Sequence, residues 1–391
     1  MSSSSSSSSP RPFSHTPAGA VIGGAGLAST VGEKTLLKKF QRVAVVTDKS
    51  VRAAGLVDGV LASLGTRVAM LIDDIVADGD CAAVESMAAL AREADVDAVV
   101  AVGGGSVIDS AKGLLAVLAT NKSLAELEGY QQIRATLLPL VAIPTTAGTG
   151  AEATQFAVLK DLATGNKRIF VDPCLIPALA VLDPVLLVGL PEHVTRATAV
   201  DGLTHAIESI ASKLAHPIAT ALATEAARRL LVDNCLQRSL ADPTDLEARA
   251  DSLMAAHLAG HAVNTSMLGA CHALAHVTGA AAGIPHGVAN GLFLVDVMRE
   301  NAVKAGPAYA RLARSLGIMS AGDDVAALIA AVDAFIHDTA GIPRRLRDAA
   351  PSLREDDLPA LAKAALLDPD LPTNPVRFDE ALLLSVLRKR W

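Results

Sequence analysis

The first part of the chain alternates short hydrophobic runs with amphipathic stretches. Residues 42–47, 68–72 and 96–102 are apolar and rich in valine, which predicts buried strands. Between the last two, residues 82–94 carry apolar side chains at helical spacing. Residues 137–143 predict a further strand. This order of strands and helices predicts a parallel sheet with helices packed on both faces.

The pattern then changes along the chain. Two hydrophobic runs, residues 156–160 and 168–171, are separated by turn-forming residues and predict a hairpin. After Leu190 and Pro191, runs typical of strands become scarce and helical patterns continue almost to the C-terminus. We therefore predict a doubly wound α/β domain over residues 15–189 and an all-helical domain over residues 190–391.

The N-terminus and the apolar runs restrict the cellular location. Residues 2–9 are all serine and Pro10 follows, which predicts a disordered tail over residues 1–14. The segment after Met1 lacks the apolar core of a secretory signal, and charged residues interrupt apolar runs before the roughly 20 residues that a membrane span requires. The four cysteines are dispersed, as is typical of a reducing compartment. We expect a cytoplasmic protein without a membrane partner.

Composition narrows the class of ligand. The chain has 34 basic and 41 acidic side chains, a formal charge of −7, whereas nucleic-acid binding requires a concentrated basic face. Aromatic residues make up only 3%, too few for a surface on which bases could stack. Hydrophobic residues make up 51%, enough for a large core. We expect a small-molecule partner and no nucleic acid.

A glycine-rich turn lies where the third predicted strand meets a helix. The sequence Gly103-Gly104-Gly105-Ser106 follows that strand directly, and a helical pattern continues over residues 107–120. Glycines let backbone N–H groups approach a diphosphate, and a helix N-terminus favours an anion. The motif is neither a P-loop nor a complete dinucleotide fingerprint, so a tight turn packed on the sheet remains the alternative interpretation.

A second turn and an aspartate strengthen the nucleotide hypothesis. Residues 145–150 follow the next predicted strand and carry threonine hydroxyls and flexible glycines. Two such turns at the carboxyl ends of parallel strands form the crevice in which open α/β sheets bind ligands. Asp48 ends the first strand, where a carboxylate accepts hydrogen bonds from ribose and repels a 2′-phosphate, which favours NAD over NADP. Capping of a helix that begins near Ser50 is the alternative role.

Four histidines and one aspartate form two clusters in the helical part. Asp201 and His205 are four residues apart, as are His272 and His276, and His286 stands between Pro285 and Gly287. Residues at this spacing leave one face of a helix. Alone, each histidine is more typical of a core or surface position, but three imidazoles and a carboxylate match a divalent transition-metal site. Five candidates exceed four ligand positions, and spacing does not tell which one supports a ligand or carries a proton.

These motifs together resemble the iron-containing, or group III, alcohol dehydrogenases. The resemblance covers nearly the whole chain after the serine tract, and a set of motifs in this order is highly specific. The motifs are Gly24-Ala25-Gly26, Thr47-Asp48-Lys49, Gly103-Gly104-Gly105-Ser106, Asp109-Ser110-Ala111-Lys112, residues 144–152, Asp183-Pro184, Asp201-Gly202-Leu203-Thr204-His205 with Glu208, residues 272–290, and Thr373-Asn374-Pro375.

The resemblance implies a dehydroquinate synthase-like fold with the active site between a nucleotide-binding α/β domain and a metal-binding helical domain. It implies that Asp201, His205, His272 and His286 bind the metal and that His276 lies beside substrate and cofactor, where it is our candidate proton carrier. Fe²⁺ is expected, with Zn²⁺ possible, and the family suggests a homodimer or higher homo-oligomer. The expected cofactor-binding residues are Asp48, Gly103, Gly104, Gly105, Ser106, Asp109, Thr145, Thr146, Thr149, Val158, Lys167 and Leu186.

The resemblance predicts a metal-dependent oxidoreductase that interconverts a primary, short aliphatic alcohol and its aldehyde by hydride transfer to NAD. Maleylacetate reductase activity is an alternative, although Asp201 argues against it because that group usually lacks the acidic ligand. Transhydrogenation between a hydroxy acid and an oxo acid is another. A dehydroquinate synthase-type lyase is a further alternative, but it needs several basic residues, and Lys213 and His216 are the nearest ones here. Ala151 stands where the family more often has serine.

Overall fold

The computed structural model describes residues 12–391, so the serine tract, on which we predict disorder, lies outside the described residues. The strands are β1 (Ala20–Gly23), β2 (Val43–Val46), β3 (Val68–Ile72), β4 (Ala98–Gly103), β5 (Gly129–Tyr130), β6 (Leu140–Pro144), β7 (Phe156–Lys160), β8 (Lys167–Val171) and β9 (Leu179–Leu182). The helices are α1 (Thr35–Lys38), α2 (Lys49–Ala53), α3 (Asp58–Leu64), α4 (Cys81–Glu93), α5 (Gly105–Thr120), α6 (Leu124–Leu127), α7 (Glu192–Ala211), α8 (Pro217–Leu231), α9 (Cys235–Ala241), α10 (Leu246–Ser266), α11 (Ala270–Ala282), α12 (His286–Ser315), α13 (Asp324–Ala334), α14 (Leu346–Ala349), α15 (Leu358–Ala365) and α16 (Glu380–Arg390).

Six of the strands form one parallel sheet in the order β1-β9-β6-β4-β2-β3. Both faces of this sheet are buried. Alternate residues of a strand point to opposite sides, so each face contributes to its own hydrophobic cluster. Val43 and Val45 pack in one hydrophobic cluster with α3 and α10, whereas Ala44 and Val46 pack in another with α4 and α5. This arrangement explains the continuous apolar strands and confirms the predicted fold class.

The predicted hairpin is present as β7 and β8, which pair antiparallel, with β5 added beside β8 in a small second sheet. It packs against α5, and the buried side chain of Lys112 makes the connection. The Lys112 Nζ atom donates to the Thr154 carbonyl oxygen (2.9 Å), the Thr154 hydroxyl (3.0 Å) and the Phe156 carbonyl oxygen (2.6 Å). All three ammonium donors are therefore satisfied inside the protein.

From Glu192 to the C-terminus, the regular elements of the described chain are helices. Pro191 precedes the first of them, α7, as is common where a helix begins. The core of this part is built from alanine, leucine and isoleucine on α7, α8, α10 and α12. Across residues 12–391 we find no helix with the length and apolar character that a membrane crossing demands.

Glycines bring the two parts of the molecule into backbone contact. Gly150 ends the turn after β6 with φ +61°, and a Cβ there would lie 2.5 Å from the Ala256 carbonyl oxygen and 2.7 Å from Cα of Gly260, both on α10. A Cβ on Gly148 would lie 2.7 Å from Cβ of Thr198 on α7. The turn therefore packs directly on the helices that follow, and only glycine permits this approach.

We expect Gly150→Ala to lower the free energy of unfolding by about 3 kcal/mol, because it adds a backbone clash to the strain of a left-handed residue. Gly165→Ala is the matched control, since Gly165 has φ +75° and nothing within 4 Å of an added Cβ. It should cost only about 1 kcal/mol. Urea denaturation of both variants measures the difference, and equal losses would show that the contact with α10 is unimportant.

Candidate active site

Helix α7 places three polar side chains on one buried face. Asp201, His205 and Glu208 follow one another at intervals of four and three residues, so they leave the same side of the helix. All three are less than 9% exposed. Burial of this many polar groups requires partners, because an unpaired charge away from water is strongly unfavourable.

The carboxylate of Asp201 meets imidazoles from two other helices. One ligand-type atom each of Asp201, His272 and His286 lies within 4.8 Å of the other two. The Asn290 amide nitrogen, Nδ2, lies 2.9 Å from Asp201 Oδ1 and 3.3 Å from Nε2 of both His272 and His286. Because one nitrogen atom lies within 3.3 Å of all three atoms, these atoms surround a single point.

His205 completes the set. Its Nε2 atom lies 3.8 Å from Asp201 Oδ1, and its ring stacks on His272 with 4.8 Å between ring centroids. Its Nδ1 atom is buried and has no hydrogen-bond partner among residues 12–391. Of the four residues that the sequence predicts as metal ligands, the structure thus brings Asp201, His272 and His286 into one group and places His205 beside them.

The start of α12 explains how His286 reaches this cluster. A Cβ on Gly287 would lie 1.9 Å from the carbonyl oxygen of Ala197 on α7, so the two backbones are in direct contact. Pro285 precedes the first helical residue, His286, and ends the preceding loop. The first turn of α12 is thereby held against α7. The His286 Nε2 atom lies 3.5 Å from Asp201 Oδ1.

His272 and His286 favour the neutral form, in which an imidazole can donate a lone pair to a cation. Burial holds the pKa of His272 and that of His286 well below their usual value. The His272 Nδ1 atom lies 2.6 Å from Oε2 of Glu208, and burial raises the pKa of that carboxyl to about 7. Neutral imidazoles with one carboxylate are a donor set that suits Fe²⁺ or Zn²⁺. The residues present therefore fit a divalent transition metal.

His276 lies beside the cluster and has different partners. Its ring stacks on His286 with 5.3 Å between centroids, and its Nδ1 atom lies 2.8 Å from Asp368 Oδ2 and 4.0 Å from Asp370 Oδ2. Burial opposes the charged imidazole, but the hydrogen bond to Asp368 raises the pKa of His276 above its usual value. Sequence reasoning missed both aspartates, since they lie more than 90 residues away along the chain.

The two predicted nucleotide turns lie against each other at the ends of β4 and β6. The Thr145 amide donates to the Gly103 carbonyl oxygen at 3.0 Å. A Cβ on Gly104 would lie 3.3 Å from Oγ1 of Thr146, and one on Gly105 would lie 2.9 Å from Cγ2 of Thr149. The glycines therefore face the threonines, and the two turns form one surface at the N-terminus of α5.

Other predicted cofactor residues surround this surface and already bond to one another. Asp109 Oδ2 accepts from the Val158 amide at 3.0 Å, and burial raises the pKa of Asp109 to about 6. The Ser106 hydroxyl accepts from the Asp78 amide at 3.0 Å, and Lys167 Nζ lies 3.2 Å from Asp78 Oδ1. The hairpin of β7 and β8 is thus connected to the glycine-rich turn.

Asp48 and Leu186 have visible structural roles. Asp48 caps α2, where its Oδ1 atom accepts from the amides of Ser50 (2.8 Å) and Val51 (2.9 Å). The capping interpretation is therefore correct, and both hydrogen bonds use the same carboxylate oxygen. Leu186 is buried in the hydrophobic cluster beneath the sheet, on the α10 side.

A doubly wound sheet joined to a helical part, with a buried aspartate and three histidines on the helices, is typical of a nucleotide-binding, metal-dependent enzyme. The family model described as "Iron-containing alcohol dehydrogenase" matches residues 18–184, and the model "Fe-containing alcohol dehydrogenase family, C-terminal" matches residues 195–391. The chain belongs to the iron-containing alcohol dehydrogenase family.

Known proteins support this assignment over nearly the full length. The chain is 36% identical to "Probable alcohol dehydrogenase EutG" of Escherichia coli (strain K12), over 90% of this chain and 88% of that protein. It is 35% identical to "1,3-propanediol dehydrogenase" of Klebsiella pneumoniae, over 92% and 94%. A solved 1,3-propanediol oxidoreductase superposes with a TM-score of 0.92 at 32% identity, covering 97% of this chain and all of that one.

The family confirms three predictions from the sequence. The chain is an oxidoreductase, it has the predicted fold class, and its activity is the interconversion of alcohol and aldehyde. The family also implies a metal, typically iron, and NAD(H). In this chain, the cluster around Asp201 is the candidate site for the metal, and the two turns after β4 and β6 are the candidate site for NAD(H).

A divalent cation should raise the melting temperature of metal-stripped protein, because a ligand that binds only the folded state stabilises it by mass action, by about 2.7 kcal/mol at 100 times the dissociation constant. Asp201→Asn keeps the size of the side chain and an acceptor for Asn290, so it should fold yet lose most of this gain. His193→Ala is the matched control, since His193 is an exposed histidine on the same helix. Differential scanning calorimetry with Zn²⁺ measures the shift, and an equal gain in Asp201→Asn would contradict the assignment.

Proposed function

We propose that this chain interconverts a short aliphatic primary alcohol and its aldehyde with NAD(H), at a divalent cation held by Asp201, His205, His272 and His286. The convergence of the Asp201 carboxylate with the imidazoles of His272 and His286, with His205 beside them at 3.8 Å from Asp201, carries the proposal. When bound, the cation supplies Lewis-acid polarisation of the substrate oxygen. Fe²⁺ is the metal that the family name favours, and the donor set accepts Zn²⁺ equally well.

The proposal places NAD on the surface formed by the two turns after β4 and β6. Backbone amides at the start of α5 would bind the diphosphate, because a helix N-terminus favours an anion. The Asp48 carboxylate would accept a ribose hydroxyl and repel a 2′-phosphate, which favours NAD over NADP. A neighbour in structure, the sulfoacetaldehyde reductase of Bifidobacterium kashiwanohense, was solved in complex with NAD⁺ and superposes with a TM-score of 0.88 at 27% identity.

His276 is our candidate for moving the proton that the alcohol releases. Asp368 accepts the Nδ1 proton of His276 at 2.8 Å, which fixes the ring and leaves Nε2 free to take a proton. Stacking on His286 keeps the imidazole next to the cluster. Proton transfer by a positioned imidazole of this kind is a general acid–base role.

The substrate class follows from the relatives and the composition. Named relatives are dehydrogenases of 1,3-propanediol and a reductase of lactaldehyde, all small aliphatic compounds. With 3% aromatic residues, this chain has few side chains with which to line a large aromatic pocket. The cytoplasmic location and the homodimer remain predictions.

The proposal is tested with metal-stripped protein reloaded with Fe²⁺ or Zn²⁺ and given a panel of alcohols and aldehydes with NAD(H) or NADP(H). Short primary alcohols should give steady NADH formation that depends on added metal, with NADP less effective, and Asp201→Asn should be at least about 100-fold slower. Full activity of the stripped protein would contradict the metal site. Exchange between a hydroxy acid and an oxo acid without net NADH would instead indicate a transhydrogenase.

A further inference from the structure

We infer that Glu208 is a positioning residue that fixes the orientation and the ring tautomer of His272, an inference that rests on the proposed metal site. Glu208 Oε2 lies 2.6 Å from His272 Nδ1, on the side of the ring opposite to the nitrogen that faces Asp201 and His286. Both side chains are almost completely buried, at 3% and 1% exposure. Water therefore does not compete for this contact.

The Glu208 carboxylate faces donors from the backbone as well. The Cys271 amide donates to Oε1 at 2.8 Å and the Gly269 amide donates to Oε2 at 3.2 Å. These amides belong to the start of α11, where backbone N–H groups have no partner within the helix. The carboxylate therefore orients the first turn of the helix that carries His272.

The neighbours of His272 determine which ring nitrogen carries the proton. Asn290 Nδ2 lies 2.9 Å from Asp201 Oδ1, and since an ionised carboxylate only accepts, this Asn290 atom is the amide donor. The second amide hydrogen faces His272 Nε2 and His286 Nε2, both at 3.3 Å, which favours a lone pair on His272 Nε2. The single proton of the neutral ring then lies on Nδ1 and is donated to Glu208.

This arrangement prepares His272 as a ligand before any cation binds. A carboxylate on the far nitrogen of a ligating histidine fixes its tautomer and raises its basicity, and loss of such a partner typically costs 10–100-fold in metal affinity. Helix α7 thus acts in two ways from one face. Asp201 and His205 reach the site themselves, whereas Glu208, one turn further, reaches it through His272.

Asn374 offers a matched control because it holds the same helix end without contacting His272. Its Oδ1 atom accepts from the Ala270 amide at 3.2 Å and from Asn301 at 3.0 Å, and its Nδ2 atom donates to Asn301 Oδ1 at 2.8 Å. Removing this side chain disturbs the first turn of α11 but leaves the contact between Glu208 and His272. A general effect of helix placement can therefore be separated from control of the imidazole.

Glu208→Gln is the informative substitution because it keeps the shape and removes an acceptor. If the amide oxygen faces His272 and Gly269, the amide nitrogen opposes the Cys271 N–H group. If the amide nitrogen faces His272, the imidazole must carry its proton on Nε2, where it cannot bind a metal. In either orientation, the form of His272 with its proton on Nδ1 and a lone pair on Nε2 becomes less favourable.

The experiment measures Zn²⁺ affinity of the full-length chain by competition with a chromophoric chelator. We expect Glu208→Gln to bind Zn²⁺ about 10–100-fold more weakly than the unmodified chain. Asn374→Ala should be less stable to heat but close to the unmodified chain in affinity. Equal affinity in Glu208→Gln, or an equal loss in Asn374→Ala, would overturn the inference. If the unmodified chain binds no Zn²⁺, the proposed function itself fails.

A second measurement needs no substitution. Nitrogen-15 spectra of the histidine rings in the metal-free, unmodified chain report which nitrogen carries the proton. We expect His272 to be protonated on Nδ1 and free on Nε2. A proton on Nε2 would overturn the inference even if Glu208→Gln does not fold.

Discussion

The contact of a buried carboxylate with surrounding imidazoles is the interaction on which the rest of the structure depends. Asp201 is 3% exposed, and its Oδ1 atom lies 2.9 Å from the amide nitrogen of Asn290, 3.5 Å from His286 Nε2 and 3.8 Å from His205 Nε2. Such a charge is unfavourable in the interior unless hydrogen bonds or a cation compensate for it. The cluster is thus suited to a divalent metal, and the helices that carry it must be held at close range for the donors to converge.

Small residues provide that close range. Gly287 lets the first turn of α12 touch α7, and Gly150 lets the turn after β6 touch α10. The first contact brings His286 to Asp201, and the second joins the sheet to α10. Because these contacts are between backbones, they leave little freedom to adjust. The distance between the turn after β6 and the cluster around Asp201 is therefore set by backbone packing and not by flexible side chains.

Local sequence predicted much of this structure and part of the site. Apolar runs located most sheet strands, but β1 and β9 were not predicted. Strand β1 is largely exposed at the sheet edge, and β9 is a short buried apolar run, which periodicity alone does not distinguish from a helix. Helical spacing identified Asp201 and His205, and the same spacing points to Glu208. The contact between His276 and Asp368 could not be predicted, because it joins residues 92 positions apart whose meeting depends on how α11 and α15 pack.

The central claim is that one divalent cation binds where Asp201, His205, His272 and His286 converge. Anomalous diffraction from crystals of the metal-loaded protein, collected at the absorption edge of that metal, tests it most directly. The expected result is a single peak about 2.0–2.2 Å from an Asp201 oxygen and from one nitrogen of each of the three imidazoles. A metal-loaded crystal whose anomalous peak lies elsewhere, or which shows no peak among these four side chains, would contradict it.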